Sequence, residues 1–315
     1  MWTTNIIYVF GRPPPFVFLK ARALNAHTFP SGVSSSMAKI LSIACSTFGN
    51  RLAGALEVFS SLSPAAEKVS FVVVHQVPPL FELSKDVQAL QSELMNIENI
   101  HYILSETEGL TKSRNLALKH CQTKYVWIMD DDITFANNIL QPVMERLQTA
   151  GSVACHTFES IKPSGQARAA YPKDRAPLCG KGLLKVASFE MIVNKDILIR
   201  NKINFREDMG VGGNAIGLGE ESVLISDIIR AGEGTMHHKI SVLTHPDVST
   251  GNTVSEKNFY SKGVVIRRCF TGSERIFFYL RDVFRIFRNR EDHFGAMYSR
   301  VKLVKALTKG CFLGE

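Results

Sequence analysis

Three consecutive carboxylates, Asp130, Asp131 and Asp132, follow directly on the apolar run Val126-Trp127-Ile128-Met129. The run reads as a buried strand. Acids crowded at the end of such a strand repel one another and lose hydration, so a folded chain keeps them where a cation compensates. A divalent metal is the economical compensator: Mg²⁺ or Mn²⁺ takes one or two protein carboxylates and fills its other positions with water and substrate phosphates. The competing reading is a solvated acidic turn after an edge strand. Arg114 and Asn115 open a helix whose N-terminal N–H groups and dipole favour phosphate. With the acids, this guanidinium suits a diphosphate. For Arg114 alone, a surface salt bridge is the alternative.

The elements that must position these groups follow from periodicity. Ile40 to Cys45 reads as a strand, Ser46 to Asn50 as a turn, and Arg51 to Leu62 as a helix with apolar residues at 52, 55, 56, 59 and 62. Val69 to Val74 is a second strand, ended by Pro78-Pro79. Asp86 to Met95 is helical and Ile100 to Leu104 a short strand. Thr111 is the expected N-cap of the next helix, which carries Leu116 and Leu118 into the strand before the acids. Alternation of this kind over about 95 residues predicts a mostly parallel sheet flanked by helices. Ligands of open sheets bind beyond the carboxyl ends of the strands. Thr47, His75 and the three acids all lie at such ends and are expected to face one crevice.

The chain has 315 residues, 45% hydrophobic and 21% charged, enough for one large α/β domain or two smaller ones. No segment approaches the roughly 18 to 20 uninterrupted apolar residues of a transmembrane helix, which argues against a spanning protein. Six cysteines, at 45, 121, 155, 179, 269 and 311, include no C-x-x-C pair, which argues against a zinc ribbon, a redox motif or a disulfide scaffold. A reducing, cytoplasmic setting fits. Residues 1–36 hold no acid, have prolines at 13, 14, 15 and 30 and end in Ser34-Ser35-Ser36. They read as a disordered extension, with translation expected to begin at Met37.

Several pieces, taken in order, resemble glycosyltransferase family 2 enzymes of the GT-A fold. Ile40 to Asn50 is similar to the family's first strand and Thr-aromatic turn, and Gly109-Leu110-Thr111-Lys112-Ser113-Arg114-Asn115 to its Gly-Leu-x-x-x-Arg-Asn segment. Met129 to Asp132 is similar to its D-x-D motif, and Gly219-Glu220-Glu221 before a helix to the Gly-Glu-Asp segment that holds the catalytic base. The resemblance covers about residues 39–250. It implies a GT-A domain over 37–253, with a nucleotide half at about 37–135 and an acceptor half at about 136–253, and a metal-dependent inverting transfer from a nucleotide-diphospho-sugar to an acceptor hydroxyl. The acceptor would be a carbohydrate or lipid-linked, in surface polysaccharide or glycoconjugate synthesis.

Residue by residue, the resemblance implies that Thr47, Phe48, Arg51, His75, Arg114, Asn115, Asp130 and Asp131 border the nucleotide-sugar. Asp132 would be the chief ligand of Mn²⁺ or Mg²⁺, with Asp130 and His245 beside it. Three acids in a row leave the register open, and Asp131 is the substitute for Asp132. Glu221 stands where the family has the base Asp, with Glu220 next to it. Val74-His75-Gln76 departs from the family, which has Asp there against the nucleotide base. Close acid neighbours can raise one glutamate toward neutrality, and Arg114 and a metal can stabilise a leaving diphosphate.

Thr157 to Gly182 reads as an acceptor-side loop, Phe189 to Val193 as a strand, and Ile240 to Leu243 as a late strand ending near His245. Residues 254–315 carry about 13 Lys/Arg against about 6 Asp/Glu and read as a basic helical tail. Phe277, Leu280, Phe284 and Phe287 form one stripe beside Arg281, Arg285 and Arg288. Such a helix can lie peripherally at an anionic membrane on its cytoplasmic face; packing of the stripe on the core is the alternative. Two other functions compete. Asp130-x-Asp132 after an apolar strand also satisfies the first motif of haloacid-dehalogenase-like phosphatases, with Asp130 as nucleophile. A basic nucleic-acid-binding protein is the non-enzymatic alternative, but no binding motif is present and no nucleic-acid partner is expected.

Overall fold

The computed structural model describes residues 39–62, 65–97, 99–212, 216–246, 254–288 and 300–313. The extension read at 1–36 and the start at Met37 lie outside them. The first half alternates as expected: β1 (Leu41–Phe48), α1 (Leu52–Ser61), β2 (Ser70–Gln76), α2 (Lys85–Leu94), β3 (Ile100–Ser105), α3 (Leu110–His120) and β4 (Tyr125–Met129). β-branched and aromatic runs make the strands. The second half adds β5 (Thr134–Phe135), α4 (Leu140–Thr149), β6 (Cys155–Ile161), α5 (Gly180–Leu183), β7 (Met191–Asn194), α6 (Lys195–Arg200), α7 (Glu220–Arg230) and β8 (Thr235–Thr244). Three helices follow among the described residues, the two long ones α8 (Glu256–Cys269) and α9 (Gly272–Arg288) and the shorter α10 (Arg300–Thr308).

Among the described residues the sheet has eight strands in the order β3-β2-β1-β4-β7-β6-β8-β5. Pairings from β3 to β4 are all parallel. Beyond β4 the sheet is mixed: β7 runs antiparallel to β4 and β6, β8 parallel to β6, and β5 antiparallel to β8. Four of the seven pairings are parallel, as expected, and the antiparallel ones all lie beyond β4; from β3 to β4 the sheet is parallel throughout. Helical crossovers force parallel neighbours there, whereas the long excursion from β6 to β7 lets the chain return antiparallel. Two corrections concern boundaries. β6 carries regular structure through Ile161, into the stretch read as loop, and β8 begins at Thr235 rather than Ile240.

Alternate residues of the strands feed two apolar layers. Ile43, Phe71, Val73 and Trp127 pack with α1 and α4 on one face; Ala44, Val72, Val74 and Ile128 pack with α3 and α7 on the other. The C-terminal helices join the sheet-bearing part of the chain through α8, whose Val264 and Val265 pack against Met209, Ile216 and Val223. Gly263 and Gly310 let α8 and α10 meet backbone to backbone: a Cβ on Gly263 would stand 2.3 Å from the Leu307 carbonyl oxygen, and one on Gly310 2.2 Å from that of Tyr260.

Candidate active site

After β3 the chain returns across β2 and β1 and adds β4 on the far side of β1. The carboxyl ends of β1 and β4 therefore flank the point where strand order reverses, where open α/β sheets hold ligands. Thr47 closes one strand and the three acids close the other, and the structure brings them into contact.

Each acid has a different environment. Asp131 is buried, accepts a 2.6 Å hydrogen bond from Thr47 Oγ1 and pairs with Arg51. Burial pushes its carboxyl up to about 6 against the Thr47 and Arg51 interactions, and Asp132 and Asp130 add to the rise. Its backbone is equally committed, since a Cβ on Gly54 of α1 would stand 2.0 Å from the Asp131 carbonyl oxygen. Asp130 accepts from Arg114 at 3.0 Å and from Ser188 Oγ at 3.2 Å. Asp132 is the open one, its side chain 41% exposed, with His245 Nε2 3.6 Å away and Arg51 at 3.5 Å. His245 is held by its backbone N–H on the Ile161 carbonyl and by its ring stacked on Phe189, centroids 4.4 Å apart.

Arg114 lies at the centre, 1% exposed. Its guanidinium reaches Asp130, Glu220 Oε1 at 2.8 Å and Glu221 Oε1 at 3.4 Å. Burial alone would lower its pKa; Asp130, Glu220 and Glu221 outweigh burial and raise it, so the charge is permanent. Glu220 and Glu221 open α7, and Glu221 is the more accessible of the two. Desolvation and the Glu220 charge push Glu221 up to about 8, with Arg114 opposing. A carboxyl whose proton is exchangeable near neutrality thus lies next to the acids of β4.

Several expectations need correction. Arg114 does not open its helix: it is the fifth residue of α3, buried, and engaged with three carboxylates. Asn115 points away from the crevice, donating to the Phe205 carbonyl and Glu207 and accepting from Phe205 N–H. One helical step of about 100° separates it from Arg114, so neighbours in sequence face different ways. His75 is fully buried beneath the β1 turn. Its Nε2–H donates to the Gly49 carbonyl at 2.7 Å and its Nδ1 accepts from Tyr102 O–H at 2.7 Å, while burial lowers its pKa and the Gly49 contact opposes. It supports the turn rather than facing the crevice. Thr111 is not a cap: Gly109 precedes the helix, and Thr111 Oγ1 donates to the Met209 carbonyl. Thr47, Phe48, Arg51, Asp130, Asp131, Asp132, Glu220, Glu221 and His245 do gather at the strand ends. Phe48 is 41% exposed at the mouth, edge-on to Phe81.

The sequence reading missed the turn Ser188-Phe189-Glu190. Its consecutive residues reach Asp130, His245 and the acceptor-side segment in turn. Glu190 is 1% exposed and accepts from Arg168 Nε at 2.8 Å, Ser160 Oγ at 2.6 Å and Tyr171 O–H at 2.5 Å. The available signal was one acid inside the apolar run Phe189 to Val193.

Among the described residues no group of three or more His, Cys, Asp or Glu is placed to hold a metal ion. Asp132 and His245 face one another with no deeper commitment of the carboxylate. A carboxylate and an imidazole fit two positions of a divalent ion that takes its other ligands from diphosphate oxygens and water.

Residues 84–204 match the family described as Glycosyl transferase family 2. No curated protein matches the sequence. Among solved structures, the 1–349 piece of S. aureus TarS in complex with UDP-GlcNAc is similar with a TM-score of 0.59 at 13% identity, covering 86% of this chain and 81% of that one. The same piece in complex with UDP gives 0.53 at 17% identity, covering 86% and 70%. Against the longer TarS structure the chain spans 42% of the length. At these identities the likeness establishes the fold. The fold is that of GT-A glycosyltransferases. The match to glycosyltransferase family 2 covers 121 of the 315 residues, and the structural likeness is to glycosyltransferases of the same fold. The matched segment includes α3 and the three acids; Thr47 and Glu221 fall outside it and stand on the geometry above. Neither the phosphatase nor the nucleic-acid reading gains support from the comparisons.

Proposed function

We propose that the protein transfers a glycosyl group, with inversion, from a nucleotide-diphospho-sugar to an acceptor hydroxyl. The observation that carries this reading is the buried Arg114, which ties Asp130 to Glu220 and Glu221 and so puts the diphosphate side and the proton-accepting side in one crevice. Asp132 and His245 would hold Mn²⁺ or Mg²⁺, with the nitrogen ligand favouring the transition ion. Such an ion, when bound, neutralises charge on the leaving diphosphate. Asp131 is the less suitable ligand, because Thr47 and Arg51 already occupy its carboxylate. Thr47, Phe48 and Arg51 border the nucleotide.

Glu221 takes the acceptor proton as the acceptor oxygen bonds to the anomeric carbon and the carbon–oxygen bond to the diphosphate breaks. Its raised pKa suits a base working near neutrality. Arg114 keeps the carboxylates in register and balances their charge. Uridine donors are the first to test, since TarS is seen with UDP and UDP-GlcNAc. The end of β2 has His75-Gln76 where the family has Asp, which leaves the nucleotide base to other contacts. The acceptor is a carbohydrate or a lipid-linked sugar of surface polysaccharide or glycoconjugate synthesis. The domain proper is proposed to run over 37–253, with 254–315 peripheral at the cytoplasmic face of a membrane.

Thermal stabilisation by a panel of sugar nucleotides, with and without Mn²⁺, tests the reading. One donor class is expected to raise Tm in an Mn²⁺-dependent way that Asp132→Asn removes. A flat response across the panel, or full metal dependence in Asp132→Asn, rejects it.

A further inference from the structure

We infer that the outer face of α9 is the surface that docks this protein on an anionic lipid bilayer; the inference rests on the peripheral placement proposed above and names the element responsible. No helix among the described residues is long and apolar enough to cross a membrane. Yet α9 exposes Ile276 at 52%, Phe277 at 55%, Leu280 at 56%, Phe284 at 62% and Phe287 at 51%. At about 100° per residue these five fall within roughly one quadrant of the helix. The opposite face is what the fold uses: Phe278, Asp282 and Ile286 are buried against the rest of the tail. Packing of the sequence-predicted stripe on the core is therefore excluded. A contiguous row of large apolar side chains in water calls for an occupant.

Charge decides which occupant. Arg281, Arg285 and Arg288 follow the stripe along one edge; the Arg285 side chain is 61% exposed and Arg288 lies over the Phe284 ring. The other edge is closed by α10, where Tyr279 hydroxyl meets Thr308 Oγ1 at 2.8 Å and its ring lies edge-on to Phe312. A second copy docked antiparallel through the stripe would set two arginine edges side by side, with Asp282 already shared by Arg281 and Arg285 and Glu274, at the start of the helix, the one exposed acid of α9 on that edge among the described residues. Headgroup phosphates meet Arg285 and Arg288 while the phenylalanines enter the acyl boundary; Arg281, 17% exposed and stacked on Phe278, stays with Asp282. The long apolar stems of arginine allow both at once. Since α8 packs on α7 beside Glu220 and Glu221, docking through α9 also holds the catalytic crevice in a fixed relation to the surface.

The full chain, floated with vesicles of phosphatidylcholine alone or with about one third phosphatidylglycerol, tests this. Binding is expected to the anionic vesicles, at least tenfold weaker to the neutral ones, and weakened by salt. Leu280→Ser with Phe284→Ser, and separately Arg285→Glu with Arg288→Glu, are each expected to lower it at least tenfold. All four positions are exposed and outside the candidate site, so the donor-induced Tm shift should stay at the wild-type value in both variants, even where Arg285→Glu lowers Tm by losing its pair with Asp282, which separates failure here from failure of the transferase reading. Equal binding to both vesicle types, or undiminished binding by either variant, overturns the proposal. So does light scattering that shows a stable dimer which the serine variant turns into monomer.

Discussion

At Glu221 the pKa and the geometry lead to one expectation. Ionisation is disfavoured first by burial and then by Glu220, so the base form grows in as pH rises toward about 8. Turnover should climb over that range with an apparent pKa belonging to the Glu220/Glu221 pair. Glu221→Gln should lower kcat about 10²- to 10⁴-fold with donor affinity unchanged. A pH–rate profile and donor titration of the variant check both. The same shift has a stability consequence of fixed sign: the carboxyl is bound to its proton more tightly folded than unfolded, so ionising it between its ordinary value and about 8 costs stability as pH rises.

At the scale of elements, two backbone features decide where the acids stand. Gly54 allows α1 to lie against the Asp131 carbonyl, and Gly54→Ala would force that contact apart. A destabilisation of about 1–3 kcal/mol is expected from overpacking, together with a smaller Mn²⁺-dependent Tm shift, because Asp132 follows Asp131 directly. Chemical denaturation and metal titration of the variant measure the two. The Ser188-Phe189-Glu190 turn makes a second test. Glu190→Gln leaves Arg168 without its charge partner; Arg168 is partly exposed, which softens the loss to roughly 2 kcal/mol. Hydrogen exchange should quicken in residues 162–171, where Arg168 and Tyr171 lose their anchor, while donor binding persists. Unchanged exchange there would show that the segment is held by something else.

For the whole molecule the pH response has a second source in buried imidazoles of β6 and β8, outside the candidate site. His156 and His238 lie in adjacent strands, stacked with centroids 5.3 Å apart and joined by a 3.0 Å Nδ1–Nε2 hydrogen bond. Burial lowers them to about 3 and about 4, respectively. The unfolded chain therefore binds more protons below the ordinary histidine value. Stability from this pair is fully present above about pH 6.5 and is lost as pH falls toward 4. Asp131 and Glu221, both raised, act with the opposite sign over the same range, so the net slope is the balance of the two sets. His238→Phe, which preserves the stack on Phe158, removes one of the acid-destabilising groups, so between pH 7 and 5 its Tm should lose less, or gain more, than that of the wild type, even if its Tm at neutral pH is lower.

What the sequence determined by itself was whatever is local or periodic. The alternation from Ile40 to Met129 dictated a parallel half-sheet, crossovers of that length dictated its direction, and the acids after Met129 had to lie at a strand end. The apolar stripe on α9 was likewise legible, since helical geometry alone lines up its phenylalanines. Only the tertiary structure decided what each charged group faces. Asp130, Asp131 and Asp132 are equivalent in the sequence, yet Thr47 and Arg51, about 80 residues earlier, claim the middle one and leave the third open. Arg114 and Glu220, 106 residues apart, become partners through the packing of α3 beside α7. Side-chain charge is a local property, but its compensation is not: which carboxylate stays ionised, buried or free depends on neighbours that chain order does not bring together.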